Sequence, residues 1–303
     1  MPELPDVVVY CESLAERVVG RPLERLEIVN PFVLRTAVPP ADSVQGRVVR
    51  AVRRVGKRVV LQLDGDLFVV LHLMIAGRLR WLPAGGPARG GARKPPPKAT
   101  LARLVFTTGT VLFTEAGTKR RASIHIVEGE AALAKLDAGG LDVATATPQE
   151  FARRLTADNH TLKRALTDPR ILSGIGNAYS DEILHRARLS PFLQTGRLDA
   201  GTIERLRVAI LEVVDEWTVR LRAAAAATAS GFPEEVTAFH PRMAVHGRFG
   251  QPCPVCGAPV QRIVYADNET NYCARCQTGG TILADRALSR LLKASWPRSL
   301  DDL

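Results

Sequence analysis

Four of the five cysteines stand in two pairs, Cys253-Pro-Val-Cys256 and Cys273-Ala-Arg-Cys276, with sixteen residues between them. Two such turns at this separation present four thiolates to one tetrahedral ion, the pattern of a zinc ribbon. Four sulfurs fill the coordination sphere, so the expected Zn2+ is a single structural ion with no open position for chemistry. Disulfides fit poorly in a reducing compartment, and two turns at ribbon spacing are seldom both redox pairs. Cys11, the fifth, lies in an apolar-rich helical stretch and reads as buried filler.

A second kind of chemistry sits at the start, Met1-Pro-Glu-Leu-Pro-Asp6. Methionine before proline is usually removed, which leaves Pro2 with a free secondary amine. An α-amine ionises near pH 8, well below lysine, so part of it is neutral and nucleophilic at pH 7. Attack on a sugar C1′ would give an iminium ion that acidifies the C2′ proton. Glu3 next door could move protons on that sugar. Lys57 lies in a run with six basic residues in twelve, Arg47 to Arg58, and Gly56 before it predicts a tight turn or bulge that aims it. His72 stands among apolar residues on an expected strand. Gly174-Ile-Gly-Asn177 opens a helix, where exposed N–H groups and the helix dipole favour a phosphate, with the Asn177 amide as an added donor.

The elements that must position these groups are legible in outline. A helix is predicted over Asp6 to Val19, ended by Gly20-Arg21-Pro22. From about residue 22 to 127 the pattern is strands. Arg58–Leu63 and Leu67–Leu73 flank the turn Asp64-Gly65-Asp66, Leu101–Thr107 and Thr110–Glu115 flank Thr108-Gly109, and Ala122–Val127 follows. Short strands joined by turns predict a β-sandwich or barrel. The segment Pro83 to Lys98, rich in glycine, proline and basic residues, reads as a solvated insertion. From Thr147 the period is helical: a capping box Thr147-Pro-Gln-Glu150, short helices at Thr161–Leu166 and Ser180–Ala187, and a long one from Thr202 to Ala226. Residues 228–250 read as a linker into the cysteine module.

The 303 residues carry 41 Lys+Arg against 31 Asp+Glu, a formal charge of +10. That surplus suggests a polyanionic partner. A hydrophobic fraction of 46% excludes wholesale disorder. No apolar run reaches the roughly 18 residues of a spanning helix, and the acidic, proline-rich start does not fit a signal peptide. A cytoplasmic protein with no membrane partner, acting as a monomer, is expected.

Taken in order along the chain, these pieces resemble the formamidopyrimidine-DNA glycosylase and endonuclease VIII family of repair enzymes. The matching residues are Pro2-Glu-Leu-Pro-Asp6, Gly56-Lys57, His72-Leu73, Gly77-Arg78-Leu79, Gly174-Ile-Gly-Asn177 with Tyr179 and Glu182-Ile-Leu184, His246-Gly-Arg248, Gly250-Gln-Pro-Cys253, and the two cysteine turns ending in Gln277. The resemblance implies an α+β multidomain fold: an N-terminal helix on a two-layer β-sandwich over 1–130, a helix–two-turns–helix domain over 131–240, and a C-terminal zinc ribbon with a tail over 241–303. It implies damaged DNA as partner and a flipped-out nucleotide. Pro2 would displace an oxidised or ring-opened base from C1′, and the Schiff base would then undergo β- and δ-elimination. Glu3 would transfer protons and Lys57 would lie near the lesion and its phosphate, while His72 and Asn177 would hold backbone phosphates.

The sequence departs from that family at the positions that read and grip DNA. The hairpin arginine expected five residues before the third zinc cysteine is Asn268 here, and Arg262 on the opposite arm is the candidate to compensate. The void-filling methionine of formamidopyrimidine-type members aligns with Ile75, beside Met74. The loop that supplies an arginine and a phenylalanine elsewhere reads Arg120-Arg-Ala122, without the aromatic wedge. Asp6 replaces the usual glutamate. Two functions follow: a bifunctional glycosylase with abasic-site lyase activity, or a catalytically weak binder of damaged or abasic DNA on the same scaffold.

Overall fold

The computed structural model describes residues 1–85, 99–116, 120–234, 240–265, 268–284, 291 and 297–302. The predicted insertion therefore lies almost wholly outside the described residues, as does Lys119 beside Arg120. The chain divides into two compact units, Met1–Ala138 with Trp217–Thr237, and Gly139–Glu216 with Ala238–Leu303.

In the first unit, helix α1 (Leu4–Val18) starts with Pro5 in its first turn and is capped by Asp6, whose carboxylate accepts the Glu3 N–H at 2.8 Å. Its apolar residues Val7, Leu14 and Val18 are fully buried, and α1 packs on β2 (Val49–Val55) and β3 (Arg58–Leu63). Two antiparallel four-stranded sheets follow. One has the order β1 (Leu23–Ile28), β6 (Thr100–Phe106), β7 (Gly109–Glu115), β5 (Gly77–Pro83); the other runs β2, β3, β4 (Leu67–His72), β8 (Ser123–Glu128). Both predicted hairpins form, β3–β4 and β6–β7.

Strand β4 is buried along nearly its whole length, because its two faces enter two cores. Val69 and Leu71 join the main core between the sheets; Phe68 and Val70 pack with Val60, Val127 and Leu133 of α2 (Glu130–Ala134). That is why the sequence reads there as one apolar run rather than an alternation. Cys11 is buried in the main core, and burial pushes its thiol up to about 12, so it is inert filler. Phe232 closes the same core, 5.8 Å from the Tyr10 ring, and Arg17 ties its segment down through the Ser230 and Gly231 carbonyls, both at 2.9 Å.

In the second unit, α3 (Pro148–Thr156) carries the predicted capping box: Thr147 Oγ1 accepts the Glu150 N–H at 3.2 Å and Glu150 accepts the Thr147 N–H at 2.9 Å. Helix α4 (Leu162–Thr167), the turns of 168–176 and helix α5 (Asn177–Arg186) form the helix–two-turns–helix element. α5 begins three residues before the predicted Ser180, with Gly176 as N-cap, so the glycine turn is the helix start itself. Helix α6 (Ala200–Ala226), whose residues from Trp217 on belong to the first unit, buries Leu206, Ile210 and Val213 at helical spacing within the second. The cysteine module is a two-stranded ribbon, β9 (Val260–Tyr265) with β10 (Asn268–Cys273), followed by α7 (Ala274–Thr278).

Candidate active site and zinc centre

The N-terminal corner is built by α1 and the β2–β3 hairpin. Val55 pairs with Arg58, leaving Gly56 and Lys57 as a two-residue loop. Only Gly56 has positive φ, +58°, the sign pattern of a type II′ turn, which needs glycine first. The expected tight turn is thus a hairpin tip that carries Lys57. Burial lowers the Lys57 ammonium from its ordinary value, with the Glu3 carboxylate pulling the other way. The α-amine at residue 1 is likewise lowered by burial. Glu3 and Asp6 oppose the shift, and Arg78 and Lys57 reinforce it. Pro2 and Glu3 are both buried. The fold therefore brings the chain terminus, Glu3 and Lys57 into one electrostatic neighbourhood, and adds Arg78, to which the sequence reading gave no role.

His72 ends β4 in the row Arg58–His72–Ser123 across three strands. Burial, then Arg58, His125 and Lys57, hold its imidazole down at about 4, so it is neutral at pH 7 and meets an anion only as an N–H donor. The unfolded chain protonates this side chain near 6.5, before the folded protein does. Stability from His72 is therefore complete above pH 6.5 and lost as pH falls towards 4. His72→Gln is expected to flatten the fall of the melting temperature across that window, read by thermal denaturation at matched ionic strength; an unchanged slope would refute the assignment.

The β4–β5 turn lifts Ile75 into solvent at 63% exposure, while the preceding Met74 takes a left-handed φ of +51°. Gly77 closes the turn by donating to the Leu73 carbonyl at 2.9 Å, and a Cβ there would lie 2.2 Å from that oxygen. Arg78 Nη1 donates to the Ile75 and Gly77 carbonyls at 3.2 and 2.7 Å. Arg120 is exposed in the β7–β8 connection. The base of that connection is pinned by buried Glu115, which accepts the Arg121 and Ala122 N–H groups at 3.0 and 3.2 Å. Ala122, aligned with the missing wedge, is a core residue.

The remaining predicted residues belong to the second unit. Asn177 opens α5, and its Nδ2 donates to the Glu269 carbonyl of β10 at 2.9 Å. Its own carbonyl accepts Lys163 Nζ at 2.8 Å. Arg262 on β9 lies 4.4 Å from the centre of the half-exposed Phe249 ring and 3.8 Å from Glu269. Asn268 opens β10 opposite Tyr265.

Sequence reasoning missed the polar hub that holds ribbon to helices. Buried Asp181 takes Lys163 Nζ on Oδ1 at 2.5 Å, and His246 Nδ1 and the Asn271 N–H on Oδ2 at 2.8 and 3.1 Å. Neighbouring Glu182 accepts three successive N–H groups, Ala244, Val245 and His246, at 2.7 to 3.0 Å. Burial nonetheless raises its carboxyl above the ordinary range, against those three bonds. Three partners on one buried carboxylate make Asp181 expensive to delete. Asp181→Ala is expected to cost about 3–5 kcal/mol, because Lys163 loses its counter-charge and the His246 ring and Asn271 N–H lose their acceptor. Asp181→Asn, which keeps the shape, should cost less in the same chemical denaturation. Equal, sub-kcal losses would contradict the hub. A polar Asp-Glu pair amid the apolar stripe of α5 was the available signal.

The four sulfurs of Cys253, Cys256, Cys273 and Cys276 lie within 4.8 Å of one another. Cys256 and Cys273 are 3.4 Å apart and Cys253 and Cys276 4.0 Å, bracketing the roughly 3.8 Å that a tetrahedral ion with 2.3 Å zinc–sulfur bonds requires. The donor set fits Zn2+. Gln277, the last residue of the motif, accepts the Cys273 N–H at 2.8 Å and donates to the Leu189 carbonyl at 2.9 Å.

Comparison with known proteins matches three successive parts of the chain: a formamidopyrimidine-DNA glycosylase N-terminal domain over residues 1–122, the corresponding H2TH domain over 141–228, and a zinc finger found in formamidopyrimidine-DNA glycosylases and isoleucyl-tRNA synthetases over 250–279. A formamidopyrimidine-DNA glycosylase from Acidothermus cellulolyticus is 32% identical over 292 residues, covering 91% of this chain and 97% of the relative. An uncharacterised formamidopyrimidine-DNA glycosylase-like protein of Mycobacterium tuberculosis is 41% identical over 153 residues, 50% of this chain and 91% of its own length. The crystal structure of the Thermus thermophilus formamidopyrimidine-DNA glycosylase superposes with a TM-score of 0.74 at 30% identity, covering 91% of this chain and 98% of that one. No helix among the described residues is long and apolar enough to cross a membrane.

Proposed function

Because the chain belongs to the formamidopyrimidine-DNA glycosylase family, whose members are base-excision DNA glycosylases, we propose that it is bifunctional, excising a damaged base and cutting the strand through a Schiff base on Pro2. The observation that carries the reading is the buried Pro2-Glu3 corner, where burial lowers the α-amine of Met1 and Glu3 and Lys57 lie within electrostatic reach. Removal of Met1 leaves the Pro2 nitrogen as the free α-amine of that same corner.

Its lone pair attacks C1′ of the flipped nucleotide, the C1′–N bond breaks with its electrons leaving on the base, and the proton shed by the Pro2 nitrogen neutralises the departing base. Glu3 supplies a proton to the sugar oxygen as the ring opens. The resulting iminium is an electron sink. Loss of a C2′ proton expels the 3′-phosphate, a second elimination expels the 5′-phosphate, and water releases Pro2. Lys57 lies with the lesion and its phosphate. His72 binds a phosphate as a neutral donor. Asn177 contributes from the start of α5, where the first-turn N–H groups favour an anion. Its Nδ2 is already given to Glu269, so the backbone of the glycine turn carries much of that grip. Arg262 holds a phosphate from β9 in place of the arginine absent at 268. Its guanidinium rests on Phe249, which limits the freedom it must lose on binding. Ile75, lifted by its turn, fills the void left by the flipped nucleotide, and Arg120 contacts the strand from the β7–β8 connection. The zinc ion is structural and shapes the ribbon; it takes no part in these steps.

The test is borohydride trapping on a duplex with one abasic site, with mass spectrometry of the mature N-terminus. A covalent complex on a chain beginning at Pro2 supports the proposal. No complex while binding persists would leave a binder of damaged DNA.

A further inference from the structure

We propose that His185 is a positioning residue of the zinc centre, donating its Nε2–H to the Cys253 thiolate. His185 lies in the last turn of α5 and Cys253 opens the first cysteine turn, 68 residues later. Nε2 and Sγ are 3.3 Å apart, with the two residues only 6% and 3% exposed. A metal-bound cysteine is a thiolate with acceptor capacity only, so the ring nitrogen facing it must carry the proton.

The charge balance gives this contact its purpose. Four thiolates around one Zn2+ leave a net charge of about −2 in a site where Cys253 and Cys273 are buried and Cys256 and Cys276 half-buried, and low dielectric penalises that charge. Each N–H···S bond takes part of that charge and fixes the direction of a sulfur lone pair. Backbone groups do this at the second turn, where the Cys276 N–H lies 3.5 Å from Cys273 Sγ. His185 does it at the first. Gln277 performs the related task on the backbone of Cys273, linking it to Leu189 just beyond α5. One cysteine from each turn is thus tied through a buried side chain to α5 or the residues just after it, Cys253 by His185 of α5 and Cys273 by its neighbour Gln277 reaching Leu189, which makes the seating of the ribbon and the stability of the metal site a single property.

Two measurements on the zinc-loaded and metal-substituted full chain test this. In Co2+-substituted protein, His185→Phe is expected to move the sulfur-to-cobalt charge-transfer band to lower energy, because an unbonded thiolate gives up its electron more readily. His185→Phe should also speed transfer of Zn2+ to a chromophoric chelator by about tenfold or more, and His185→Gln, which keeps a donor, should recover part of both effects. An unmoved band and transfer rate in His185→Phe, or a glutamine variant no better than phenylalanine, would overturn the proposal. Should the phenylalanine variant fail to fold, the wild type decides: in 113Cd-loaded protein the Nε2-bound proton of His185 should show scalar coupling to the metal through sulfur. A ring protonated at Nδ1 alone would refute it.

Discussion

Base excision is expected to fall by about 10³-fold or more when Pro2 is replaced by glycine or threonine, with DNA binding within a few-fold of the wild type. The argument is electronic before it is steric. A secondary amine condenses to an iminium that bears its positive charge at every pH, so the electron sink needed for elimination is permanent. A primary amine gives a neutral imine that must first capture a proton. Glycine and threonine also lack the pyrrolidine ring, so the nitrogen's substituents are no longer held in one direction at the start of α1. The strictest control leaves the side chains alone: a chain that retains Met1 turns the Pro2 nitrogen into a tertiary amide with no basic lone pair, and should give no borohydride-trapped complex.

The pH dependence of trapping carries a second reading of the same corner. Burial lowers the Met1 α-amine, with Arg78 and Lys57 adding to it against Glu3 and Asp6; the Pro2 amine freed in the same corner is expected to shift the same way, placing the rising limb of the rate below the ordinary amine value near 8. Arg78→Met removes one of the reinforcing charges and should move that limb upward. Single-turnover rates between pH 5 and 9 measure both. A Pro2 variant that excises at wild-type rate would sink the mechanism outright.

Loss of zinc is the other large effect. Cys273→Ser, or treatment with a thiol-reactive mercurial and chelator, is expected to unfold the ribbon and reduce specific binding to the level of non-specific attraction. Structural zinc in small modules contributes about 10 kcal/mol or more of folding free energy, far beyond what this ribbon can otherwise supply. Its own core is small: Val245, Ala258 and Val260 around the cysteines, with Ile263, Tyr272 and Ala274 alongside. The first unit, with its much larger core, should keep its cooperative thermal transition. Near-ultraviolet circular dichroism and metal analysis follow the ribbon, and an abasic-site duplex at fixed salt follows binding. Retention of tight, salt-resistant binding without metal would show that the grip does not pass through the ribbon.

Local signals determined much of this protein. The cysteine spacing alone specified a four-thiolate zinc site, because knuckle geometry is a matter of a few adjacent residues. The same holds for the capping box at Thr147 and the hairpins at Asp64-Gly65-Asp66 and Thr108-Gly109, where backbone sterics and short-range hydrogen bonds decide the shape. The family was legible because Pro2-Glu3, Lys57, His72 and Gly174-Ile-Gly-Asn177 stand in its order along the chain.

What the sequence could not decide is how groups far apart along it influence one another. That Lys57 and the chain terminus share one buried neighbourhood follows from α1 packing over the β2–β3 hairpin, a contact between residues far apart in the chain. That His72 is neutral follows first from its burial and then from Arg58 on β3, His125 on β8 and Lys57 at the hairpin tip, which the fold brings around the ring. Asp181 and His185 drew no attention in the sequence, and Glu182 stood out only as part of the matching Glu182-Ile-Leu184, with no partner visible. Their roles depend on Ala244 to Cys253 and Asn271 arriving from 60 to 90 residues further on. Burial and long-range pairing set both the cost of an unpaired charge and the proton affinity of a side chain, and neither is a property of local sequence. The chemistry of this protein was therefore written in its residue types, and its tuning in the fold that closes around them.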